Sequence, residues 1–211
     1  MRSLFKFCLV LLLFPLQSNA QEFTSTYLEE YYAACVDARN CIREKRCDEL
    51  LLCADRISKM PITELSERDF ISLQPEQEIG LDGHVVFNDA GLIIVAEAII
   101  NGNSTNYNLH STYRGSNIYL AHRVIPANST MRYQVSCLDN VEMLVFHETM
   151  GRLDVTILDE NGNCAEDLVT CSGYGWNILR FHAGDMPAAF VIEATNKEDF
   201  DICCAFAING Q

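Results

Sequence analysis

Four cysteines at six-residue intervals, Cys35, Cys41, Cys47 and Cys53, place the strongest constraint on how this chain of 211 residues can fold. On one straight helix, residues six apart are separated by about 600° of rotation and about 9 Å of rise. A disulfide needs Cα atoms within about 7 Å, so neighbours in this series cannot bond unless the segment folds back. The positions are symmetric about Glu44, and a helical hairpin that turns at residues 43–46 would give two nested bridges, Cys35–Cys53 and Cys41–Cys47.

The nested pairing is difficult if both Cys35 and Cys41 lie on one helix, because residues six apart on a helix point about 120° away from each other. We therefore expect the first helix to end near Asn40, which leaves Cys41 in the loop. Four cysteines allow three pairings, and the other two stay open. Structural zinc sites favour cysteine pairs two to four residues apart, and this series has none, so the spacing favours a staple over a metal site or a reactive thiol.

The N-terminal 20 residues have the pattern of a secretory signal peptide. Arg2 and Lys6 precede an apolar run over 7–16, and small residues at Ser18 and Ala20 predict cleavage after Ala20. The apolar run is too short to span a bilayer, and no later stretch reaches the roughly 18 to 20 apolar residues that a spanning helix needs. We expect a secreted, extracellular protein without a membrane span.

Cysteine content and glycosylation signals agree with export. Ten cysteines, of which Cys8 lies in the signal peptide, suit an oxidising compartment. Asn103 and Asn128 each begin an Asn-Ser-Thr sequon, so both are predicted to carry N-linked glycans on exposed loops.

Net charge restricts the partners. The whole chain carries a formal charge of −14, which becomes −16 without Arg2 and Lys6. This balance argues against nucleic acid and anionic membranes as partners. It permits Ca²⁺, a mineral surface or a basic protein. The partners expected overall are an extracellular protein, carbohydrate or a mineral surface.

Two segments of different amino-acid composition follow the predicted signal peptide. Residues 21–60 contain no Gly or Pro and have a helical composition, which predicts a cysteine-rich helical hairpin that Pro61 ends. Residues 61–80 are expected to form a linker, and residues 81–211 a β-sandwich domain.

Short apolar runs separated by turn signals fill the region from residue 84 to residue 208. The runs "MRYQVSC" (131–137) and "RLDVTIL" (152–158) alternate apolar and polar residues, which marks strands buried on one side. Turn signals such as 88–91 and 161–162 separate such runs at the spacing of a sandwich or barrel. The predicted fold class is mainly β: an antiparallel, jelly-roll-like β-sandwich preceded by a disulfide-stapled α-helical hairpin.

The β-rich part contains an odd number of cysteines. Alternation in "DICCAFAI" places Cys204 on the more apolar face, which predicts an inter-strand bridge to Cys137. Cys164 and Cys171 bracket a short loop and are expected to close it. Cys203 is then left over and faces outward. It either joins a second chain or stays a free thiol, and we expect an intermolecular disulfide that gives a disulfide-linked homodimer.

We find no catalytic motif and expect the chain not to be an enzyme. The segment "HETMG" at His147 lacks the second His of a zinc-protease helix. Two acidic clusters could gather Ca²⁺ as a cofactor or form a solvated rim. The first consists of Asp159, Glu160, Glu166 and Asp167, and the second of Glu198, Asp199 and Asp201.

Two aromatic residues lie among glycines in "CSGYGW". Tyr174 and Trp176 could present their rings to a sugar or a protein, while a sole Trp more often lies in a core.

The region 119–208 resembles the jelly-roll modules of extracellular proteins, namely CUB domains and pre-peptidase C-terminal domains. The stretches that carry the resemblance are "RVIPANSTMRYQV", "LDVTILDENGNC", "CSG" and "WNILRFHAGDMPAAFVIEA". Cys137 comes too late for the first cysteine of a CUB domain, and Cys203-Cys204 has no counterpart there. The resemblance implies binding or adhesion rather than catalysis.

These observations together predict a secreted acidic glycoprotein with a non-catalytic binding or adhesion role. The expected setting is an extracellular matrix or cell surface, including a calcium-associated mineralised matrix. The alternatives are a secreted hydrolase or inhibitor, or a defence or toxin-like effector.

Overall fold

The structure is a computed structural model that describes residues 23–66, 69–74, 81–102, 117–136, 141–159, 161–164, 169–181 and 189–210. Within these residues it contains three helices and ten strands in two sheets. The mainly β class predicted from the sequence is confirmed.

Two helices occupy most of the N-terminal segment: α1 spans Thr26–Glu44 and α2 spans Cys47–Ser58. The hydroxyl of Ser25 caps α1 by accepting a hydrogen bond from the Leu28 N–H at 3.3 Å. Only Lys45 and Arg46 separate α1 from α2, which pack against each other.

The expectation that the first helix ends near Asn40 is wrong, because α1 continues for another turn. Lys45 adopts the left-handed conformation with φ 57°. This allows the Arg46 N–H to donate to the Cys41 carbonyl at 2.9 Å, a bond that closes the C-terminus of a helix. Cys41 is therefore a helical residue and not a loop residue.

The ten strands form a six-stranded and a four-stranded sheet. The first sheet has the order β1-β3-β10-β5-β8-β7 and the second has the order β2-β4-β9-β6. All neighbours pair antiparallel except β1 and β3, which are parallel. The bounds are β1 Ile62–Glu64, β2 Phe70–Ser72, β3 Ile118–Ile125, β4 Ser129–Ser136, β5 Val141–His147, β6 Leu153–Leu158, β7 Val169–Gly173, β8 Trp176–Phe181, β9 Ala189–Asn196 and β10 Ile202–Gly210.

The six-stranded sheet is the middle of three layers. One core lies between the helices and this sheet, and a second core lies between the two sheets. Strand β10 contributes to both, because Ala205 and Ala207 face the helices whereas Phe206 and Ile208 face the other sheet. All seven residues of β5 are buried for the same reason.

A third helix lies within the region for which the sequence predicted only strands and turns. Helix α3 spans Asp89–Asn101 and packs against α2. The residues 88–91 were interpreted as a turn, but the Asn88 side chain accepts a hydrogen bond from the Gly91 N–H at 2.7 Å and caps this helix.

The segment predicted to be a linker contributes a strand to each sheet. Strand β1 pairs with β3, so that Ile62 lies beside Ile118, and β2 pairs with β4, so that Phe70 lies beside Val135. The segment therefore connects the helices to both sheets.

A buried carboxylate joins α1 to the sheet beneath it. Glu142 on β5 accepts hydrogen bonds from the N–H groups of Thr24 and Ser25 at 3.0 and 2.8 Å, and from the Thr24 hydroxyl at 2.9 Å. Arg180 on β8 donates to the same carboxylate at 2.7 Å. Burial disfavours its charged form, but these donors outweigh burial and lower the pKa of Glu142.

The described part of the chain contains no helix with the length and apolar character needed to cross a membrane.

Candidate functional site

The outer surface of the α1–α2 pair forms a groove that we consider the candidate functional site. The inner side of α2 is apolar, with Leu50, Ala54 and Ile57 buried. The opposite side is solvent-exposed and meets α1 across a concave surface, which we call the outer groove. It has a volume of about 360 Å³ and is lined by Asp37, Asn40, Cys41, Arg46, Glu49, Leu52, Cys53 and Arg56.

A second hollow extends the outer groove along the same helix pair. It has a volume of about 410 Å³ and shares Arg56 with the outer groove. Its lining is Tyr27, Glu30, Asp55, Arg56, Lys59, Met60 and Pro61. The two hollows together present a long, mixed surface of charged and apolar side chains.

Ion pairs line the walls of the outer groove. Arg56 on α2 lies 3.2 Å from Asp37 on α1, and Arg46 contacts both Glu44 and Glu49. All of these side chains are well exposed, and exposed ion pairs contribute only about 0 to 1 kcal/mol. Their charged groups can therefore exchange an internal partner for a ligand at small cost.

Exposed apolar side chains lie on the same helical layer. On α2, Leu51 is 39% exposed and Leu52 is 67% exposed, and Leu52 belongs to the wall of the outer groove. On α3, Ile93 and Ile100 are 41% and 63% exposed. Residues seven apart on a helix share a face, so the two isoleucines lie on one side of α3.

The four cysteines of the helix pair occupy different environments. Cys35 is fully buried, Cys41 and Cys53 are buried but line the outer groove, and Cys47 is partly exposed at the start of α2. Burial raises the pKa of the Cys35 and Cys41 thiols, and it raises the pKa of Cys53 to about 11. These three thiols are therefore protonated at neutral pH and are poor nucleophiles.

The structure contains neither of the predicted bridges Cys35–Cys53 and Cys41–Cys47, so the disulfide staple is not confirmed. The continuation of α1 explains the conflict, because Cys35 and Cys41 both lie on one helix and point in different directions. The Cys47 thiol instead contacts the Lys45 carbonyl at 3.8 Å.

The outward position predicted for Cys203 is wrong. Cys203 lies on the same side of β10 as Ala205 and Ala207, as predicted, but that side faces the helical layer and Cys203 is only 1% exposed. A buried thiol cannot join a second chain without local unfolding, so the geometry opposes an intermolecular disulfide through this residue.

The remaining cysteine predictions are only partly covered by the described residues. Cys204 is buried between the two sheets as expected, whereas its predicted partner Cys137 lies outside the described residues. Cys164 is exposed, and the side chain of Cys171 lies outside the description. The bridges Cys137–Cys204 and Cys164–Cys171 therefore stay predictions.

The acidic clusters use their described carboxylates to fix loops. Asp159 accepts hydrogen bonds from the N–H groups of Asn161 and Asn163 at 2.9 and 2.7 Å. Asp201 accepts from the Ala127 N–H at 2.8 Å, and Glu198 accepts from the Arg152 N–H, also at 2.8 Å.

Calcium ligands were predicted at Asp159 together with three residues that lie outside the described ones, Glu160, Glu166 and Asp167. Within the described ranges, no three His, Cys, Asp or Glu side chains are grouped so as to hold a metal ion.

A His–Glu pair that the sequence analysis missed connects three segments. The Nδ1 atom of His84 lies 2.6 Å from the Glu148 carboxylate, which also accepts from the Val85 N–H at 2.8 Å and the Cys203 N–H at 3.1 Å. The hydrogen bond to Glu148 raises the pKa of His84. Burial and the Glu148 charge raise the pKa of the Cys203 thiol. The cluster therefore fixes the chain before α3 to the start of β10 rather than activating a nucleophile.

The sequence offered little signal for this cluster, because His84 and Glu148 are 64 positions apart and Glu148 and Cys203 are 55 positions apart. The one available sign was "HETMG", where Glu148 follows a buried His147. The zinc-protease comparison drew attention to His147 instead.

The two aromatics in "CSGYGW" are divided between surface and core. Tyr174 is 76% exposed, whereas Trp176 packs against the core under the helices, with its ring centroid 5.4 Å from that of Tyr32. Only Tyr174 is placed to meet a ligand.

The predicted glycosylation site at Asn128 lies in the exposed turn between β3 and β4, with φ 51°. Its surroundings are compatible with a glycan acceptor. The second predicted acceptor, Asn103, lies outside the described residues.

No protein-family model matches the chain, and no curated protein matches it either.

Proposed function

We propose that the chain is a secreted, acidic, non-catalytic glycoprotein that binds another extracellular protein through its helical layer, in a matrix or at a cell surface. The observation that carries the proposal is the set of exposed apolar side chains on that layer: Leu51, Leu52, Ile93 and Ile100. Leu51 and Leu52 are adjacent on α2, and Ile93 and Ile100 share one face of α3, so the helical layer offers two apolar positions on each helix to a partner.

The outer groove supports a protein ligand in particular. It combines an exposed leucine with arginine and carboxylate groups that are held only by exposed ion pairs. A neighbouring hollow extends it along α1 and α2, so the surface suits a segment of polypeptide better than a small compact ligand.

The finer fold assignment belongs to the same proposal. Two packed sheets are compatible with a jelly-roll-like sandwich, and the CUB-like resemblance of residues 119–208 implies binding or adhesion.

The test uses a photo-crosslinking amino acid at position 52 of the secreted protein, applied to cultured cells that deposit a matrix. The matched control carries the same amino acid at Ile71, which is 42% exposed on β2 of the other sheet. We expect one extracellular protein to be crosslinked from position 52 and not from position 71. That protein should then bind Leu52→Glu at least tenfold more weakly than the Ile71→Glu control.

Two outcomes would contradict the proposal. One is equal crosslinking from positions 52 and 71, which would show that the helical layer is not the ligand surface. The other is turnover of chromogenic ester, peptide or glycoside substrates by the purified protein, which would favour the secreted hydrolase.

A mineralised matrix with bound calcium is the more specific form of this function, and the formal charge of −16 after signal removal supports it. Calorimetric titration with Ca²⁺ tests it directly. Heat of binding below millimolar calcium is expected, and its absence at millimolar calcium would remove the mineral setting while leaving the protein-binding proposal intact.

A further inference from the structure

Two of the four helix-pair cysteines lie together across the seam between α1 and α2. Cys41 is in the last turn of α1, Cys53 is in the second half of α2, and both contribute to the lining of the outer groove. Cys35 does not line it, and Cys47 lies at the connection between the helices.

The direction of the side chains selects this pair over the nested pairs. Because α1 is helical through Glu44, Cys35 and Cys41 point about 120° apart and cannot both face the same part of α2. Cys35 is directed into the core beside Tyr31, whereas Cys41 is directed to the groove where Cys53 lies.

The influences on the thiol pKa values also indicate that Cys53 lies nearer to Cys41 than to Cys35. Burial raises the pKa of Cys53 to about 11, and the charge of the Cys41 thiolate is its next strongest influence. Burial also raises the pKa of Cys41, and a hydrogen-bonding interaction with Cys53 opposes that increase. Cys35 is influenced more by Tyr31 and Arg39 than by Cys53.

We propose that Cys41 and Cys53 form a disulfide that joins α1 to α2 beneath the outer groove. The oxidant is a small-molecule disulfide of the secretory compartment, such as oxidised glutathione. The two protein thiols lose two protons and two electrons as the S–S bond forms. The small-molecule disulfide accepts both and is cleaved to two thiols, through a mixed disulfide on one cysteine that the other displaces.

This bridge changes which cysteines remain for other roles. Cys35 stays as a buried thiol in the core, and Cys47 stays as a partly exposed thiol at the connection. Of the described cysteines in the helix pair, Cys47 is therefore the one that reagents or a second chain can reach. The choice of partners rests on the geometry of the helix pair, whereas the supply of oxidant rests on the secretion that is part of the proposed function.

Peptide mapping of the secreted full-length protein tests the pairing. Thiols are alkylated under denaturing conditions without reductant, and the chain is cleaved after Lys and Arg and before Asp. Cys41 is then carried by the fragment 40–43 and Cys53 by the fragment 48–54. We expect these two fragments to be recovered as one disulfide-linked species that separates on reduction.

Other products would overturn the proposal. A link between the fragment 48–54 and the fragment that ends at Val36 would show Cys35–Cys53, and alkylation of both Cys41 and Cys53 would show that no bridge forms. A link from the fragment 40–43 to Cys47 would equally exclude the proposed bond.

Thermal unfolding of serine variants provides a second measurement. We expect Cys41→Ser and Cys53→Ser each to lower the midpoint by about 5 to 10 °C, because the bridge closes a short loop in the unfolded chain. The double variant should lose no more than either single variant. Additive losses would overturn the proposal, since they would show that the two side chains contribute separately, and Cys47→Ser serves as the control with little change.

Discussion

Replacement of Glu142 by Ala should destabilise the protein far more than the loss of an ordinary acidic side chain. The Glu142 side chain is 5% exposed and accepts four hydrogen bonds, from Arg180, from the Thr24 and Ser25 N–H groups and from the Thr24 hydroxyl. Its removal leaves the Thr24 and Ser25 N–H groups at the start of α1 without an acceptor. It also leaves the Arg180 guanidinium without its buried carboxylate partner. Breaking a buried ion pair costs about 3 to 5 kcal/mol, and we expect a loss of about 4 kcal/mol.

Urea unfolding at pH 7 measures this loss directly. The control is Asp55→Ala, which removes an exposed ion pair with Lys59 that has an N–O distance of 2.6 Å. An exposed pair of this type contributes less than about 0.5 kcal/mol. Hydrogen exchange should also show faster exchange in the first turn of α1 for the Glu142 variant, because that turn depends on Glu142 for its attachment to β5.

The reasoning would be refuted if the two variants lost similar stability. A small loss for Glu142→Ala would mean that water replaces the carboxylate and that α1 is held by its apolar contacts alone. A large loss with unchanged exchange in α1 would mean that the carboxylate stabilises β5 and β8 rather than the helix.

Three further predictions concern the helix ends and the buried histidines. Gly91→Ala should lower the free energy of unfolding by about 1 to 3 kcal/mol in urea, because the new methyl group would overlap the Val86 carbonyl oxygen and lie 2.9 Å from the Val86 Cβ atom. An unchanged urea midpoint would contradict the close packing at the start of α3. Lys45→Gly should raise stability by about 0.5 kcal/mol because φ 57° suits glycine, and a loss of stability would contradict this account of the α1 C-terminus. Burial lowers the pKa of His147 to about 4 and that of His122 to about 3, so the unfolded chain binds their protons below about pH 6.5 while the folded chain does not. The contribution of these neutral histidines to stability is therefore fully present above pH 6.5, and the free energy of unfolding should fall by about 2 kcal/mol per histidine between pH 7 and pH 5. Equal stability at both pH values would argue against this burial.

The alternation of single strands was predictable from the sequence, whereas the arrangement of the layers was not. Alternation identified the buried faces of β4 and β6, because both strands have one face on the core and one in solvent. It could not show that β10 is covered on both sides, since small residues such as Ala205 and Ala207 give no strong apolar signal. This is why Cys203 was placed on the surface.

Helix α3 was missed because its sequence resembles that of a buried strand. The run "GLIIVAEAII" is nearly continuous in apolar residues, and such runs cannot be assigned by periodicity alone. Asn88 is equally suited to a turn and to a helix N-cap, so its capping hydrogen bond could be recognised only in the structure.

The outer groove was only partly predictable. The cysteine spacing indicated that the N-terminal segment folds back, which is the condition for a groove to exist. The register of α1 against α2 depends on the residue at which α1 ends, and one additional helical turn decides that Cys41, and not Cys35, lies beside Cys53.

The position of β10 in its sheet has a consequence for biosynthesis. This strand is the last of the described strands along the chain, yet it lies between β3 and β5 and takes part in both cores. A ribosome must release residues 202–210 before β3 and β5 can be joined, so the sheet stays incomplete until that strand has emerged. Until then the apolar faces of β3 and β5 are open to incorrect partners, so this is the stage of synthesis at which misfolding is most to be expected.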